Sequence, residues 1–591
     1  MSQAAPDQTF TTHAMLVPWG QFAQAIGLIE KLEAIPIRQK TRDHSPQTKL
    51  IEFLVAILGG LPYLQDISHG AHPLDQDQTV ARAWAQPGWA DYSGVSRTLQ
   101  ALTPENVSQI TAVLNEVSQP FIDREVMLAL RDQGRLVYDG DLTGRPVSNS
   151  STTYPNVSFG HMGDAVQLGY QVAMVSMHSP TYGRLWLSVA QHPGSTVSCT
   201  QAEALVLAAE ARTGVHPLRR THLLRQRLAQ QEAKLQAAQD KLQRREAAWQ
   251  TAQPRLQETQ QQLESWQAEV TRLEGEYQAK GRPERPHSRL AQARRRLSVQ
   301  QRHLPRRKEA VVQAQRRVEK QRQRVEALQA EQAALQQRLA RFEADNATNP
   351  SPIQALFRLD AGFGTGENVA LLIEMGYEVY TKPYSHRVTA ALRGRITEAT
   401  SWERVGANAE MVAWEHTQVG RIPYPLDVAL ERFHTGSEVR HSALLHYGDD
   451  PVTQDLGAWF QCYNARQTIE AGIKEGQNVF QMHHLKVRSE AGLLIQEHFA
   501  AFAANLVRWA AHWLMEQCPH LDEPFDAKPL NVKQLVQVAA NTSAWVIWQP
   551  QGCLVKFTEY SAFAGTTLRS QGTWAFQLPL PLFKSCLFAP S

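Results

Sequence analysis

Cysteine is scarce. The 591 residues hold five, Cys199, Cys462, Cys518, Cys553 and Cys586, scattered without a CxxC pair. That pattern excludes a disulfide framework and a cysteine-built zinc site, and points to a reducing, cytoplasmic location. Long apolar runs are missing as well. The longest, Leu50 to Leu64, is broken by glutamate, paired glycines and proline, so no bilayer-spanning helix and no membrane partner are expected. The opening MSQAAPDQTF has neither a basic n-region nor an apolar h-region, so a secretion signal is not expected. Nor is there an excess of one charge: 60 Lys+Arg face 57 Asp+Glu, with 43% hydrophobic and 20% charged residues. This is the balance of a folded globular protein, and the length calls for several domains.

The even balance conceals a split. Between Thr221 and Glu343 there are 26 Lys+Arg and 14 Asp+Glu, net +12, while the remainder of the chain carries net −9. Within the basic segment Leu228, Leu235, Leu242, Trp249, Leu256, Leu263, Val270 and Tyr277 recur every seven residues. After KGRPERPH the period resumes with Leu290, Leu297, Leu304, Val311, Val318 and Val325. Two heptad helices joined by a turn predict an antiparallel coiled-coil arm over 217–351, each helix roughly 80 Å long at 1.5 Å per residue. Pro254 and Pro305 are expected to kink it, since each removes a ladder donor. From Arg282 to Arg324, 15 Lys+Arg oppose three glutamates, and Arg294-Arg295-Arg296 is the densest run. The strip suits the DNA backbone, the solvated outside of a coiled coil, or another subunit.

Around the arm the texture is mixed. Residues 1–130 read as a helical domain with possible DNA binding, in which Thr103-Pro104 starts a helix as N-cap and first-turn proline, and Ser93 to Gln100 could belong to a helix-turn-helix. LVYDGDLTG, QLGYQVAMVSMH and GRLWLSVAQ read as three antiparallel strands within 131–216, followed by a helix from Gln201 to Arg212. Residues 352–394 resume with a strand, a Gly-rich turn, a helix and a strand. Residues 395–460 read as a β-rich insertion, 461–515 as one long helical stretch, and 516–591 have no assignable role.

Asp141 follows an apolar strand, where a rigid carboxylate suits a metal; Asp139, two residues earlier on the same face, competes for that role. Asp360 sits likewise after ALFRL. Its Asp360-Ala-Gly-Phe-Gly-Thr-Gly turn also fits a nucleotide-fold methyltransferase that binds S-adenosylmethionine, but the next strand ends in Lys382 instead of an acid for the ribose. Further on, spacings of 3, 4 and 4 place Tyr463, Arg466, Glu470 and Lys474 on one helical stripe, a carboxylate flanked by two cations and a phenol.

Together these pieces resemble the DDE transposases of bacterial insertion sequences, in the group whose glutamate lies in a Y-x2-R-x3-E signature, here Tyr463, Arg466 and Glu470. The first aspartate, in a D-x-T context, maps onto Asp141 with Thr143; the second, in R-x-D-x-G-F, maps onto Asp360 with Arg358 and Phe363. A lysine usual seven residues after the glutamate is Gln477 here, and Lys474 is its candidate stand-in. The resemblance covers roughly 131–216 and 352–515. It implies an α/β fold with an RNase H-like core, a helical N-terminal domain, a coiled-coil insertion and a β-rich insertion. It also implies cleavage and strand transfer on double-stranded DNA ends by a homodimer. Three carboxylates without cysteine or histidine favour Mg²⁺ or Mn²⁺ at Asp141, Asp360 and Glu470. Tyr463, Arg466 and Lys474 are then expected on DNA phosphates, with Arg294, Arg295 and Arg296 of the arm as further contacts. An inactive, DNA-holding descendant is the alternative from a non-enzyme class.

Overall fold

The computed structural model describes residues 7–40, 42–281, 283–436, 438–517, 531–561, 563 and 567–571. It divides into two units, one comprising the residues up to Leu218 and from Asn349 onward, the other Arg219–Thr348. Among the described residues no helix is long and apolar enough to cross a membrane. Cys199, Cys462 and Cys553 are free, and Cys518 and Cys586 lie outside the described residues.

The first unit begins with a short strand, β1 (Gln8–Thr11), before its helices. Helix α1 (Leu16–Ala25) precedes α2 (Pro46–Leu58), in which every residue from Thr48 to Leu58 is buried. That all-round burial explains why KLIEFLVAIL is apolar on more than one face. After α3 (Tyr92–Ala101), α4 (Pro104–Gln133) starts as expected: Thr103 accepts from the Asn106 amide in a capping box and Pro104 takes the first turn. It runs through Pro120 and stops where Gly134 takes a left-handed conformation, φ 70°.

The main sheet is mixed. Strand β2 (Arg135–Pro146) pairs antiparallel with β4 (Ala165–Ser179), whose far edge carries β3 (Ser158–Met162) and then β5 (Gly183–Pro193). A helix, α5 (Ala202–Thr213), packs against β4 and β5. The other edge of β2 takes β6 (Gln354–Arg358) in parallel, and β6 takes β7 (Glu378–Thr381) in parallel, with helix α8 (Gly366–Glu374) between them in the chain and α9 (His386–Arg393) after β7. The stretch expected as a separate β-rich insertion continues this same sheet. Strands β8 (Glu403–Arg404), β9 (Ala409–Thr417), β10 (Leu426–Thr435) and β11 (Glu438–Tyr447) follow, and β11 joins β7 antiparallel through Leu445 and Thr381, His446 and Tyr380, and Tyr447 and Val379. Buried His446 fastens the join: its Nε2 lies 2.9 Å from Glu378 on β7 and its Nδ1 3.3 Å from Asp427 on β10. Burial opposes its charge, but the two carboxylates hold its pKa above the ordinary histidine value.

The long helical stretch expected over 461–515 consists of three helices. Arg466 N bonds to Tyr463 O, a tightened turn that separates α10 (Leu456–Asn464) from α11 (Gln467–Asn478). The chain then leaves helical geometry at 479–489, where Gln481 has φ 55°, before α12 (Glu490–Gln517). Phe121 of α4 stacks on Trp509 of α12, ring centroids 4.3 Å apart, and Phe53 of α2 meets Phe499. The described residues from 531 onward have a structural place. Strands β12 (Ala544–Gln549), β13 (Gly552–Phe557) and β14 (Thr567–Gln571) form an antiparallel sheet with β1, which the short polar QTFT had not disclosed.

The second unit is the expected hairpin, α6 (Thr221–Ala279) and α7 (Arg289–Ala347), 59 residues each. At Leu235, Val270, Leu290, Val318 and Val325 the heptad positions are buried, joined by Leu224, Ala238, Leu273, Ala293, Leu335 and Phe342 from the second seam position. Neither proline interrupts its helix. Both lie in a stretch, 239–258 against 294–317, where no side chain is fully buried among the described residues. Both prolines are exposed, so neither ring has to fit between the two helices. Polar seam residues are paired across the hairpin: Gln321 donates to Ala238 O at 2.9 Å and Gln231 to Glu331 at 2.7 Å.

Candidate active site

Asp141 lies inside β2, not at its end, because β4 pairs with β2 as far as Pro146. On the other edge, however, β6 stops at Arg358, opposite Asp139. Past that point β2 has no neighbour on this side, and the chain leaving β6 reaches Asp360. This local loss of a partner puts Asp141 beside the turn that carries Asp360. Leu359 N bonds to Tyr380 O and Thr381 Oγ1 donates to Asp360 O at 3.1 Å, so β7 fixes the start of that turn.

Arg466 ties the third element in. Its Nη2 donates to Asp141 Oδ2 at 2.9 Å and its Nη1 to Glu470 Oε1 at 3.0 Å, so one buried guanidinium joins a strand and a helix 325 residues apart. Burial works against this charge, yet Asp141 first, then Tyr463, Asp360 and Glu470, hold its pKa above the ordinary arginine value. Burial above all pushes the Asp141 carboxyl up to about 6, with Arg466 opposing the rise and the neighbouring charges of Asp360 and Glu470 adding to it. The three expected carboxylates thus share one electrostatic neighbourhood, with Arg466 among them. As they stand they are not gathered on one point: among the described residues no group of three or more His, Cys, Asp or Glu could hold a metal ion.

The donor set nonetheless suits a hard cation. Asp360 Oδ1 is buried without a hydrogen-bond partner among the described residues, leaving lone pairs that a cation would satisfy. Mutual repulsion among the carboxylates has the same remedy, provided Arg466 yields part of its hold on Asp141 and Glu470.

Asp139 is committed elsewhere. Arg358 clasps it with both ends of its fork, Nε to Oδ1 at 2.6 Å and Nη2 to Oδ2 at 2.8 Å, and gives Nη1 to Cys462 O at 2.8 Å. The arginine of the R-x-D context therefore joins β6 to β2 and to the helix that ends in the signature tyrosine. Tyr463 is buried, its hydroxyl 3.4 Å from Leu359 O, so it braces the Asp360 turn from within. The expected single stripe is divided: Tyr463 and Arg466 are buried, whereas Glu470 and Lys474 are exposed because α11 turns Ile469, Gly472, Ile473 and Gly476 inward. Lys474 makes no hydrogen bond or ion pair among the described residues. At the position seven after the glutamate, Gln477 Nε2 lies 3.4 Å from Thr143 Oγ1, a contact back to the D-x-T segment.

Two features escaped the sequence. A Cβ at Gly472 would come within 2.2 Å of the Arg184 guanidinium, so glycine lets α11 settle on that buried side chain. Lys382 and Glu431 form an ion pair at 3.4 Å beside Tyr463. In the arm, Arg294 pairs with Glu274 at 2.7 Å and with Glu284, and Arg296 lies over the Trp266 ring at 4.8 Å. Arg294, Arg295 and Arg296 are all exposed, but Arg294 is partly neutralised within its own hairpin. Compared with known proteins, the chain matches no protein-family model and has no significant match among curated proteins.

Proposed function

We propose that this protein is a DDE-type DNA transposase with an RNase H-like core, cutting and joining double-stranded DNA ends by phosphoryl transfer. The observation that carries the reading is the Arg466 bridge between Asp141 and Glu470, with Asp360 acting on both Asp141 and Arg466. Strand order supports it: β5, β4 and β2 run antiparallel, β6 and β7 continue parallel to β2, and the carboxylates come from the middle strand, the end of its parallel neighbour and a following helix. A methyltransferase of the nucleotide fold would continue with further parallel strands, whereas β7 is followed by antiparallel β11.

Asp141, Asp360 and Glu470 would hold Mg²⁺ or Mn²⁺, which supplies activation of the attacking oxygen and stabilisation of charge at phosphorus. Arg466 keeps the acidic cluster assembled before DNA arrives, and its guanidinium, once released from one carboxylate, offers paired donors to a phosphate. Tyr463 and Arg358 hold the strand end and the helix end in register, so the elements that carry the carboxylates are fixed before DNA arrives. The exposed arginines of the arm add backbone contacts, and two copies of the chain bring two DNA ends together.

The test uses full-length protein and linear DNA carrying the segments that flank its gene, in Mg²⁺. Nicks with 3′-hydroxyl ends are expected. Asp141→Asn and Glu470→Gln should abolish them while duplex binding persists, because ligands are lost and basic contacts are not. Parental cleavage by Glu470→Gln would overturn the reading.

A further inference from the structure

A site that places three carboxylates beside a phosphate needs positive charge that is free to meet it. Most cations here are engaged: Arg466 by Asp141 and Glu470, Arg358 by Asp139 and Cys462 O. Arg184 is buried beneath α11, and Lys474, placed by spacing on the active stripe, points to solvent with Glu470 between it and Arg466 along the helix.

Lys382 is placed differently. It follows β7 directly, and its carbonyl oxygen abuts Gly364, where a Cβ would come within 1.8 Å; its backbone therefore forms a wall of the Asp360 turn. Its Nζ lies 5.3 Å from the centre of the Tyr463 ring and 3.4 Å from Glu431 Oε2 on β10, while 28% of the side chain remains exposed. Glu431 is fully buried, and neither of its oxygens has a well-formed hydrogen bond among the described residues. An ammonium has three donors, and this pair engages at most one of them. The carboxylate at its back thus holds the ammonium in place against the Tyr463 ring, and the partly exposed side chain keeps donors for another partner.

We propose that Lys382 is a phosphate-binding residue of this active site, its Nζ contacting a non-bridging oxygen of the bound DNA strand, and that Glu431 is its positioning residue. The inference rests on the DNA phosphoryl-transfer reading. The rival role, a counter-ion that only neutralises Glu431, is separable. In the double variant Lys382→Ala/Glu431→Gln no buried charge is left uncompensated, so stability should return to the parental value under either role. A phosphate contact predicts that this double variant still cleaves flanking DNA about a hundredfold more slowly. It also predicts that the log–log salt slope of binding to that DNA falls by about 0.9, and that Lys382→Arg retains most of both. Parental cleavage and salt slope in the double variant would overturn the proposal. On the intact parent, saturating duplex should shield Lys382 from an amine-acetylating reagent, and undiminished labelling would also overturn it, without depending on how any variant folds. Parental cleavage by Glu470→Gln would instead count against the transposase reading, while the acetylation result would still report on Lys382.

Discussion

Arg322 and Glu246 of the arm keep 50% and 34% of their side-chain surface in water; Arg358 and Asp139 of the core keep 4% and 3%. The arm's pair spans its two helices in high dielectric, where it is worth about 0–1 kcal/mol and salt weakens it. In the core, one buried guanidinium holds two or three segments at once, and its loss strands an uncompensated charge. Charges on the arm are therefore available to a partner, whereas those of the core are committed to assembling the acidic site.

The sharpest way to break this comparison is to remove one guanidinium from each region. Arg358→Ala should cost about 3–5 kcal/mol in a denaturant titration, because Asp139 is left buried and unpaired, and cleavage should fall with it. Equal costs for Arg358→Ala and Arg322→Ala would erase the distinction.

A second test is pH. In the metal-free protein Asp141 takes its proton at about 6 instead of 3.8, so its contribution to stability is complete below 3.8 and is lost as pH rises through 6. The loss should approach about 3 kcal/mol, should vanish in Asp141→Asn, and should be countered by Mn²⁺, which competes with the proton. A midpoint that does not move between these pH values would mean that Arg466 already keeps Asp141 ionised.

Replacing Arg219–Thr348 by a short Gly/Ser linker should shift the stability of the core by no more than about 1 kcal/mol. The ends of the first unit are already clasped, Asn349 Nδ2 donating to His216 O at 2.9 Å and Ile353 N bonding to the same oxygen. Loss of folded core would show that the arm is integral to it. The smallest effects belong to the arm's surface. Arg322→Ala should cost less than about 1 kcal/mol. Reversing Arg294, Arg295 and Arg296 to glutamate should flatten the salt slope of duplex binding by less than the roughly 0.9 per residue of three free contacts, since Arg294 is shared with Glu274 and Glu284.

These regions also differ in how openly the sequence displays them. Heptads are local, so Leu235, Val270 and Val325 announce the hairpin, and even the hydrophilic Gln231 and Gln321 fit its period. The residues of the candidate site were visible through short contexts: Asp141 after an apolar strand, Asp360 before glycines, Arg466 and Glu470 one turn apart. What stayed hidden depends on pairing across long separations. No period links Asp139 to Arg358, 219 residues away, so Asp139 read as a rival to Asp141 when it is a partner to Arg358. The tight turn at Arg466 hid behind the 3, 4 and 4 spacing of Tyr463, Arg466, Glu470 and Lys474, which reads as one continuous helix. The merging of β11 with β7 depended on buried His446, an outcome alternation cannot signal.

The clasp at His216 and Asn349 has a kinetic meaning. Parallel pairing of β2 with β6 must close a loop of 219 residues, among the slowest events available to a chain of this topology. A helical hairpin forms from local contacts and can zip within microseconds to milliseconds. Once zipped, it returns the chain to its starting point, so the two strands search for one another across less than half the original contour. The saving in loop entropy is only roughly 0.8 kcal/mol. Its larger effect is on order: an arm that folds as it is synthesised would wait, finished, for the second half of the sheet to emerge.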